Sequence, residues 1–220
     1  MKKIVICGGH LTPALALIET LEKRKNIEVI FFGRKIATEG INIPSAEYRT
    51  IKNKNVKFVN ITAGRLQRKF TSFTIPAILK IPVGFIQSLF HLVKMRPNLI
   101  IAFGGYLSVP VVFCGWLLGI DSLTHEQATV AGLANKINSL FVKKIFVTWP
   151  QTLKSFPSNK TEVVGNLTRS AIFKKQAKNP QIQNFLNRKG KLIFITGGNQ
   201  GSHFLNIQIF NLIKKLESFL

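Results

Sequence analysis

Cysteine is nearly absent, since Cys7 and Cys114 are the only two in 220 residues. Two thiols exclude the disulfide frameworks that hold small secreted domains together, and they fit a protein of a reducing cytoplasm. Each lies in an apolar segment, so we interpret both as core residues. A secretory leader is not indicated either, because the apolar run after Met1-Lys2-Lys3 is short and ends at glycine.

Acidic residues are also scarce. The sequence has 9 Asp and Glu against 31 Lys and Arg, which gives a formal net charge of +22, and residues 48–120 contain no acidic residue at all. This charge permits three interpretations: solvated lysines in a biased composition, an anionic membrane surface, or nucleic acid. Because the basic residues do not alternate with aromatic ones in a nucleic-acid-binding motif, we predict no nucleic-acid partner.

Signatures of metal binding and of dinucleotide binding are missing. The sequence has neither G-x-G-x-x-G nor G-K-[ST]. Its histidines do not show the spacing of metal ligands, so we predict no metal site. These histidines are His10, His91, His125 and His203.

Short apolar runs alternate with helix-forming segments along the chain. Lys3–Cys7 is typical of a buried strand, and Thr12 and Pro13 then suit the cap and first position of a helix over Ala14–Lys25. The recurring order predicts an α/β fold, a parallel sheet covered on both faces. Further strands are predicted at Glu28–Phe32, Val56–Ile61, Leu99–Phe103, Asp121–Thr124, Lys144–Thr148, Glu162–Asn166 and Leu192–Ile195.

One long apolar stretch, Phe73–Val93, contains Pro76, Lys80, Pro82 and Gly84. Prolines, a glycine and a charge argue against one clean membrane span. We expect instead an amphipathic hairpin or helix that lies partly in a membrane interface.

Polar loops follow several of the predicted strands, and ligands of open parallel sheets bind at the carboxyl ends of strands. A glycine turn before a helix can hold an anion, and a histidine there can accept a proton from a hydroxyl. His10 is therefore either a general base or a residue that caps a turn. The loops are Gly8-Gly9-His10, Gly104-Gly105-Tyr106, His125-Glu126-Gln127 and Gly197–Gly201.

His125 and Glu126 are adjacent, so on a strand their side chains would face opposite ways. This makes a catalytic dyad between them a poor hypothesis. In a loop, either side chain could reach a ligand.

Five motifs occur in order: G-G-H-L-T-P-A-L-A, F-G-G-Y-L-S-V-P, H-E-Q-A-T-V-A-G-L-A-N-K, V-V-G-N-L-T-R and G-G-N-Q-G-S. Together they resemble the MurG family of peptidoglycan glycosyltransferases, over essentially the whole chain. The resemblance implies a GT-B fold, in which two Rossmann-like doubly wound domains enclose the active site.

The resemblance also implies an activity. A member of this family is an inverting N-acetylglucosaminyltransferase of cell-wall biogenesis. It moves GlcNAc from UDP-GlcNAc to the MurNAc 4-hydroxyl of undecaprenyl-pyrophosphoryl-MurNAc-pentapeptide, converting lipid I to lipid II. UDP-GlcNAc is a substrate, and no cofactor is implied. The implied partners are the undecaprenyl-linked acceptor, an anionic membrane surface on the cytoplasmic face of the bacterial cell membrane, and cell-wall synthesis proteins.

Individual roles carry over by position. The resemblance makes His10 the general base. It assigns donor binding to Gly8, Gly9, Ala128, Arg169, Asn199 and Gln200. It assigns acceptor binding to Thr12, Tyr106, His125, Glu126, Gln127 and Asn135. A membrane patch would include Phe73, Ile75, Leu79, Lys80, Phe85 and Trp116.

The sequence departs from the family pattern in four places. The first loop, Cys7-Gly8-Gly9-His10, is shorter than the usual G-G-T-G-G-H, Ala128 replaces an asparagine, Leu167-Thr168 replaces Pro-Val, and the sequence stops at Leu220. We expect residues 1–164 to form a complete acceptor and membrane-docking domain and residues 165–220 to be an incomplete donor domain. Such a fragment would have little activity alone. The alternative is a non-catalytic membrane-anchored acceptor module that needs a separate donor domain.

Overall fold

The computed structural model describes residues 1–38, 41–54, 56–64, 74–173, 179–187, 189–190, 193–197 and 201–217. Contacts divide the chain into two compact units, Met1–Ser170 and Ala171–Leu220. Phe73, Asn199 and Gln200, three of the predicted site residues, lie outside the described residues.

Strands and helices alternate through the first unit as predicted. Its strands are β1 Lys2–Cys7, β2 Ile27–Gly33, β3 Ile36–Thr38, β4 Ile41–Pro44, β5 Lys57–Asn60, β6 Leu99–Ala102, β7 Ser122–Glu126, β8 Lys144–Val147 and β9 Thr161–Val163. Its helices are α1 Leu11–Leu21, α2 Ala46–Lys52, α3 Thr74–Met95, α4 Ser108–Leu117 and α5 Leu133–Asn138. The second unit contains α6 Pro180–Leu186 and α7 His203–Glu217.

The main sheet has seven strands among the described residues, in the order β5-β2-β1-β6-β7-β8-β9. Every adjacent pair in it is parallel. The chain starts at β1 in the middle, builds one side through β2 and β5, and then returns to build the other side from β6. This is the doubly wound, Rossmann-like arrangement that was predicted. A small antiparallel hairpin of β3 and β4, which was not predicted, lies outside this sheet.

The two faces of β1 enter different parts of the core. Ile4 and Ile6 join a cluster with Ile18 of α1, whereas Val5 and Cys7 join a cluster with Val111 of α4. Burial on both faces explains why the strand is apolar throughout instead of alternating. It also confirms that Cys7 and Cys114 are buried core residues.

Two details of the predicted elements are wrong. Helix α1 begins at Leu11, with His10 at its N-cap position, so Thr12 and Pro13 lie inside the first turn. Proline is tolerated there because the first amides of a helix have no intrahelical acceptor. The strand predicted at Leu192–Ile195 is also absent from its described part, since residues 193–197 form no strand.

Helix α3 is one continuous helix through Pro82 and Gly84, so the hairpin alternative is wrong and the helix alternative is confirmed. A Cβ atom on Gly84 would lie 2.9 Å from the Thr62 carbonyl oxygen, which shows that the helix packs closely on that backbone. Among the described residues, Ile78–Met95 is long and apolar enough to cross a membrane, by length and composition only. Core helices of soluble proteins meet the same criterion.

Candidate functional site

The site lies where parallel strands of the first unit end together. Cys7 pairs with Ala102, Ala102 pairs with Thr124, and Glu126 pairs with Val147. The loops that leave β1, β6, β7 and β8 therefore begin at one edge of the sheet. This confirms the expectation for Gly8-Gly9-His10 and Gly104-Gly105-Tyr106. The loop predicted at His125-Glu126-Gln127 begins only at Gln127, because β7 continues through Glu126. The loop predicted at Gly197–Gly201 follows residues that form no strand, and residues 198–200 lie outside the described part of the chain.

Two glycine loops fit directly against each other at this edge. The Gly9 amide donates to the Gly104 carbonyl over 2.9 Å. Gly8 has φ +133°, and a Cβ atom there would lie 2.7 Å from the Gly104 oxygen. Gly105 is similarly close, because its Cβ would lie 2.8 Å from the Gly9 nitrogen. Gly8 and Gly105 are thus required by backbone contact, and the Gly9 amide already has an acceptor.

His10 stands at the junction of the first glycine loop and α1. Its side chain makes no capping hydrogen bond to the helix. Its Nδ1 atom instead lies 2.9 Å from Nε2 of Gln127, a residue 117 positions away. The half-buried ring is therefore oriented by the loop after β7, and the capping interpretation of His10 is not supported by a side-chain bond.

A cleft opens beside the glycine loops. Arg34 lies at the carboxyl end of β2, and its Nη1 donates to the Tyr106 hydroxyl over 3.1 Å. Its Nε lies 3.8 Å from a carboxylate oxygen of the buried Glu47. The cleft has a volume of about 290 Å³, including open solvent, and is lined by Gly8, Gly9, Arg34, Glu47, Gly105, Tyr106 and Leu107.

Sequence reasoning missed Arg34 and Glu47. Arg34 comes two residues after the predicted strand Glu28–Phe32 and directly after the observed end of β2 at Gly33, so the strand-end rule that selected the other loops would have found it. Glu47 lies on α2 and gave no such signal, since only folding brings it beneath the Arg34 side chain.

Glu126 and Asn135 form a buried network behind the cleft wall. The Glu126 carboxylate accepts the amides of Ala128 and Gly132, each over 2.9 Å, and the Asn135 side-chain amide over 2.9 Å. The Asn135 side-chain oxygen accepts from the Thr124 hydroxyl over 2.8 Å. Glu126 is 2% exposed and Asn135 is 1% exposed. Because the network bonds the amides of Ala128 and Gly132, both residues stabilise the loop over residues 128–132.

His125 points away from that network, as expected for adjacent strand residues. Its Nε2 lies 3.1 Å from the Gly165 carbonyl oxygen, and its ring lies 5.8 Å from that of Phe103. Burial lowers the pKa of His125. Because a carbonyl oxygen can only accept, the Nε2–H of His125 donates to Gly165. Its Nδ1 atom has no partner among the described residues.

Three further predicted site residues, Arg169, Ala128 and Thr12, lie in different environments. The Arg169 guanidinium donates to the Glu19 carboxylate of α1 over 2.7 and 3.0 Å. These hydrogen bonds, more than any other contact, lower the pKa of Glu19. Ala128 is exposed in the loop after β7 and Thr12 is exposed on α1. The donor and acceptor roles of these three residues stay predictions.

The predicted membrane patch is exposed on α3 and α4. Ile75 and Leu79 of α3 and Trp116 of α4 are 59%, 68% and 52% exposed. Phe85 is half-buried and packs against Phe113, with ring centroids 5.4 Å apart. Lys80, on α3, is partly exposed. The exposed apolar surface extends to Ile78, Val83, Ile86, Phe90, Val93 and Leu117.

No group of three His, Cys, Asp or Glu side chains in the described part of the chain is arranged to hold a metal ion.

Comparisons with known proteins agree with this fold and motif order. A relative from Clostridium kluyveri is 34% identical over 98% of this chain and 60% of its own length. One from Borrelia hermsii is 34% identical over 96% of this chain and 57% of its own. Both are named UDP-N-acetylglucosamine–N-acetylmuramyl-(pentapeptide) pyrophosphoryl-undecaprenol N-acetylglucosamine transferase. The chain thus spans about 60% of these relatives.

Solved structures give the same result. The crystal structure of Acinetobacter baumannii MurG matches with a TM-score of 0.58 and 25% identity, over 79% of this chain and 48% of that one. A Staphylococcus aureus MnaA–UDP structure matches with a TM-score of 0.57 and 13% identity, over 86% of this chain and 51% of that one, which supports the fold alone. These matches confirm an N-terminal Rossmann-like domain of the GT-B type and the resemblance to MurG. Residues 7–147 match the model of the glycosyltransferase family 28 N-terminal domain, and the chain belongs to that family.

Proposed function

We propose that this chain carries the acceptor half of an inverting N-acetylglucosaminyltransferase of peptidoglycan synthesis. The reaction moves GlcNAc from UDP-GlcNAc to the MurNAc 4-hydroxyl of undecaprenyl-pyrophosphoryl-MurNAc-pentapeptide. The names of the relatives support this choice of substrates. The boundary of the acceptor domain is assigned to residues 1–164, and the donor domain begins at 165.

The observation that carries the proposal is the placement of His10. Its ring lies at the N-terminus of α1, three residues after β1, and one ring nitrogen is held by Gln127. The neighbouring glycines Gly8 and Gly9 line the cleft. In the proposed reaction the 4-hydroxyl oxygen attacks the anomeric carbon of GlcNAc from the face opposite UDP. The bond to UDP breaks, UDP leaves with the electron pair, and His10 takes the hydroxyl proton. No cofactor is needed.

A membrane surface is the proposed site of action. The lipid acceptor is held in a bilayer, and the exposed apolar face of α3 can enter the interface. Lys80 and Lys94 on the same helix can then meet anionic headgroups. We assign the protein to the cytoplasmic face of the bacterial cell membrane as a peripheral protein. Other proteins of cell-wall synthesis, and through them cell shape and division, are its proposed context.

Transfer of labelled GlcNAc from UDP-GlcNAc to a lipid I analogue tests the function. The chain is assayed alone and mixed with the donor domain of a related enzyme, because it spans about 60% of its relatives. We expect turnover in the mixture and a loss of about 10²–10⁴-fold in His10→Ala. Lys25→Ala, beyond the far end of α1, is the control. A wild-type mixture without transfer, or a His10→Ala mixture at the wild-type rate, would reject the proposal.

A further inference from the structure

The contact between His10 and Gln127 determines more than the orientation of the ring. Gln127 Nε2 and His10 Nδ1 are 2.9 Å apart, a hydrogen-bond distance. An amide nitrogen can only donate, so the Nδ1 atom that faces it must be unprotonated. A neutral imidazole carries one hydrogen, which must then be on Nε2. In this arrangement the Nε2 of His10 is a donor and has no lone pair for a hydroxyl proton.

Turning the Gln127 amide by 180° reverses this result without moving the other heavy atoms. The amide oxygen then faces Nδ1 and accepts its hydrogen, and Nε2 becomes free to accept a proton. The two ends of one side-chain amide therefore correspond to two chemical states of His10. One state donates a hydrogen bond at Nε2, and the other can act as a general base there.

The backbone of Gln127 is held in place while its side chain faces His10. Its carbonyl oxygen accepts from Nε1 of Trp149 over 3.1 Å. The preceding residue, Glu126, is buried and bonded through both carboxylate oxygens. The backbone of Gln127 is therefore fixed, and rotation of its side-chain amide is the simplest way to change the atom that faces His10.

We propose that Gln127 is the positioning residue that decides which ring nitrogen of His10 carries the hydrogen, with its amide oxygen facing Nδ1 when His10 acts as base. The catalytic part of this inference rests on the proposed function, whereas the control of the hydrogen does not. Gln127 thus acts through His10 instead of through the acceptor. The effect can be large, because giving a catalytic histidine the wrong tautomer in a Ser-His-Asp enzyme lowers kcat by about 10⁴.

Nitrogen NMR of the ring measures the tautomer directly. The chain is labelled with ¹⁵N-histidine, His10 is assigned from the signals missing in His10→Gln, and spectra are recorded at alkaline pH, where imidazoles are neutral. Without acceptor, we expect an unprotonated Nδ1 in the wild type and a protonated Nδ1 in Gln127→Glu, since a carboxylate can only accept. Gln127→Met removes both options and should give a mixture of the two tautomers.

Gln151→Met is the matched control, because Gln151 is exposed in the short turn over Pro150–Ser155. It should leave the His10 signals unchanged. The proposal is overturned if Gln127→Met leaves the His10 nitrogen signals at their wild-type positions. It is equally overturned if Nδ1 stays unprotonated in Gln127→Glu.

The transfer assay then separates positioning from direct binding. With the acceptor bound, the Gln127 oxygen faces Nδ1 and holds the base tautomer of His10. Gln127→Met removes that hydrogen bond, so we expect kcat to fall about tenfold with KM unchanged, and Gln127→Glu to restore most of it. A raised KM with unchanged kcat would make Gln127 an acceptor contact and reject its positioning role. If no variant or wild-type protein turns over, the proposed function fails, while the NMR result still decides the control of the tautomer.

Discussion

At the scale of single residues, the chemical type of Glu126 did not determine what the side chain does. Glu126 is an acidic residue at the carboxyl end of a strand, a position that suggests acid–base chemistry or direct ligand binding. In the structure its carboxylate is 2.9 Å from each of three N–H donors and is buried. Its evident role is to order the loop after β7, and Gln127 and Ala128 lie on that loop.

We predict that Glu126→Gln destabilises the protein by about 2–3 kcal/mol. The substitution replaces one carboxylate oxygen with an NH₂ group, so N–H donors that this oxygen accepted are left without an acceptor in the buried site. Urea denaturation measures the change. Glu162→Gln is the control, since Glu162 is exposed and lies 3.8 Å from Lys144, a pair that contributes less than about 1 kcal/mol. Equal stabilities of the two variants would disprove the structural role of Glu126.

At the scale of elements, α3 both packs against the domain and exposes an apolar face, although its sequence suggested a break in the helix. Pro82 and Gly84 suggested a break, yet the helix is continuous. Gly84 allows close contact with the backbone at Thr62 and Ala63. One side of the helix packs on the domain through residues such as Leu92, and the other exposes Leu79 and Ile86.

We predict that Leu79→Asp and Ile86→Asp each weaken binding to vesicles by at least tenfold, because burying such a side chain contributes about 1.5–3 kcal/mol. Sedimentation with vesicles of phosphatidylglycerol and phosphatidylcholine measures binding. Leu79 and Ile86 are each 68% exposed. Ile43→Asp is the control, because Ile43 is 54% exposed but lies in β4, away from α3 in sequence. Binding should also fall as salt is raised, since basic residues meet anionic lipid. Wild-type binding by both α3 variants would exclude this face.

At the scale of the whole molecule, the two units differ in how well they bury their apolar residues. The first has a seven-stranded sheet with apolar clusters on both faces. In the second, Phe194, Phe204 and Phe210 are 85%, 74% and 78% exposed. Small units that bury little apolar area are marginally stable.

We predict that amides of α7 exchange with solvent much faster than amides of β1. Hydrogen-exchange mass spectrometry of the intact chain measures both in one experiment. The α1 helix, which has its own covered face, serves as the internal control for helices. Protection of α7 equal to that of β1 would show that the second unit is as stable as the first.

Much of the fold was predictable because its signals are local. The apolar run before Gly8 and the spacing of apolar residues in α1 depend on neighbours in sequence, and parallel strands require helices between them. The helix start at Leu11 was missed because Thr12 and Pro13 are good capping residues in isolation. In the structure His10 occupies the N-cap position, so the helix starts two residues earlier than Thr12 and Pro13 indicate.

The sequence by itself determined the order of strands and helices, the strand-end loops and the family to which the chain belongs. Only the tertiary structure decided which side chains meet. Arg34 reaches Tyr106 across 72 residues, and Gln127 reaches His10 across 117. The physical reason is that β2, β1, β6 and β7 become neighbours through sheet pairing, and no local pattern encodes that pairing. The proposed roles of His10, Gln127 and Glu126 depend on these long-range contacts.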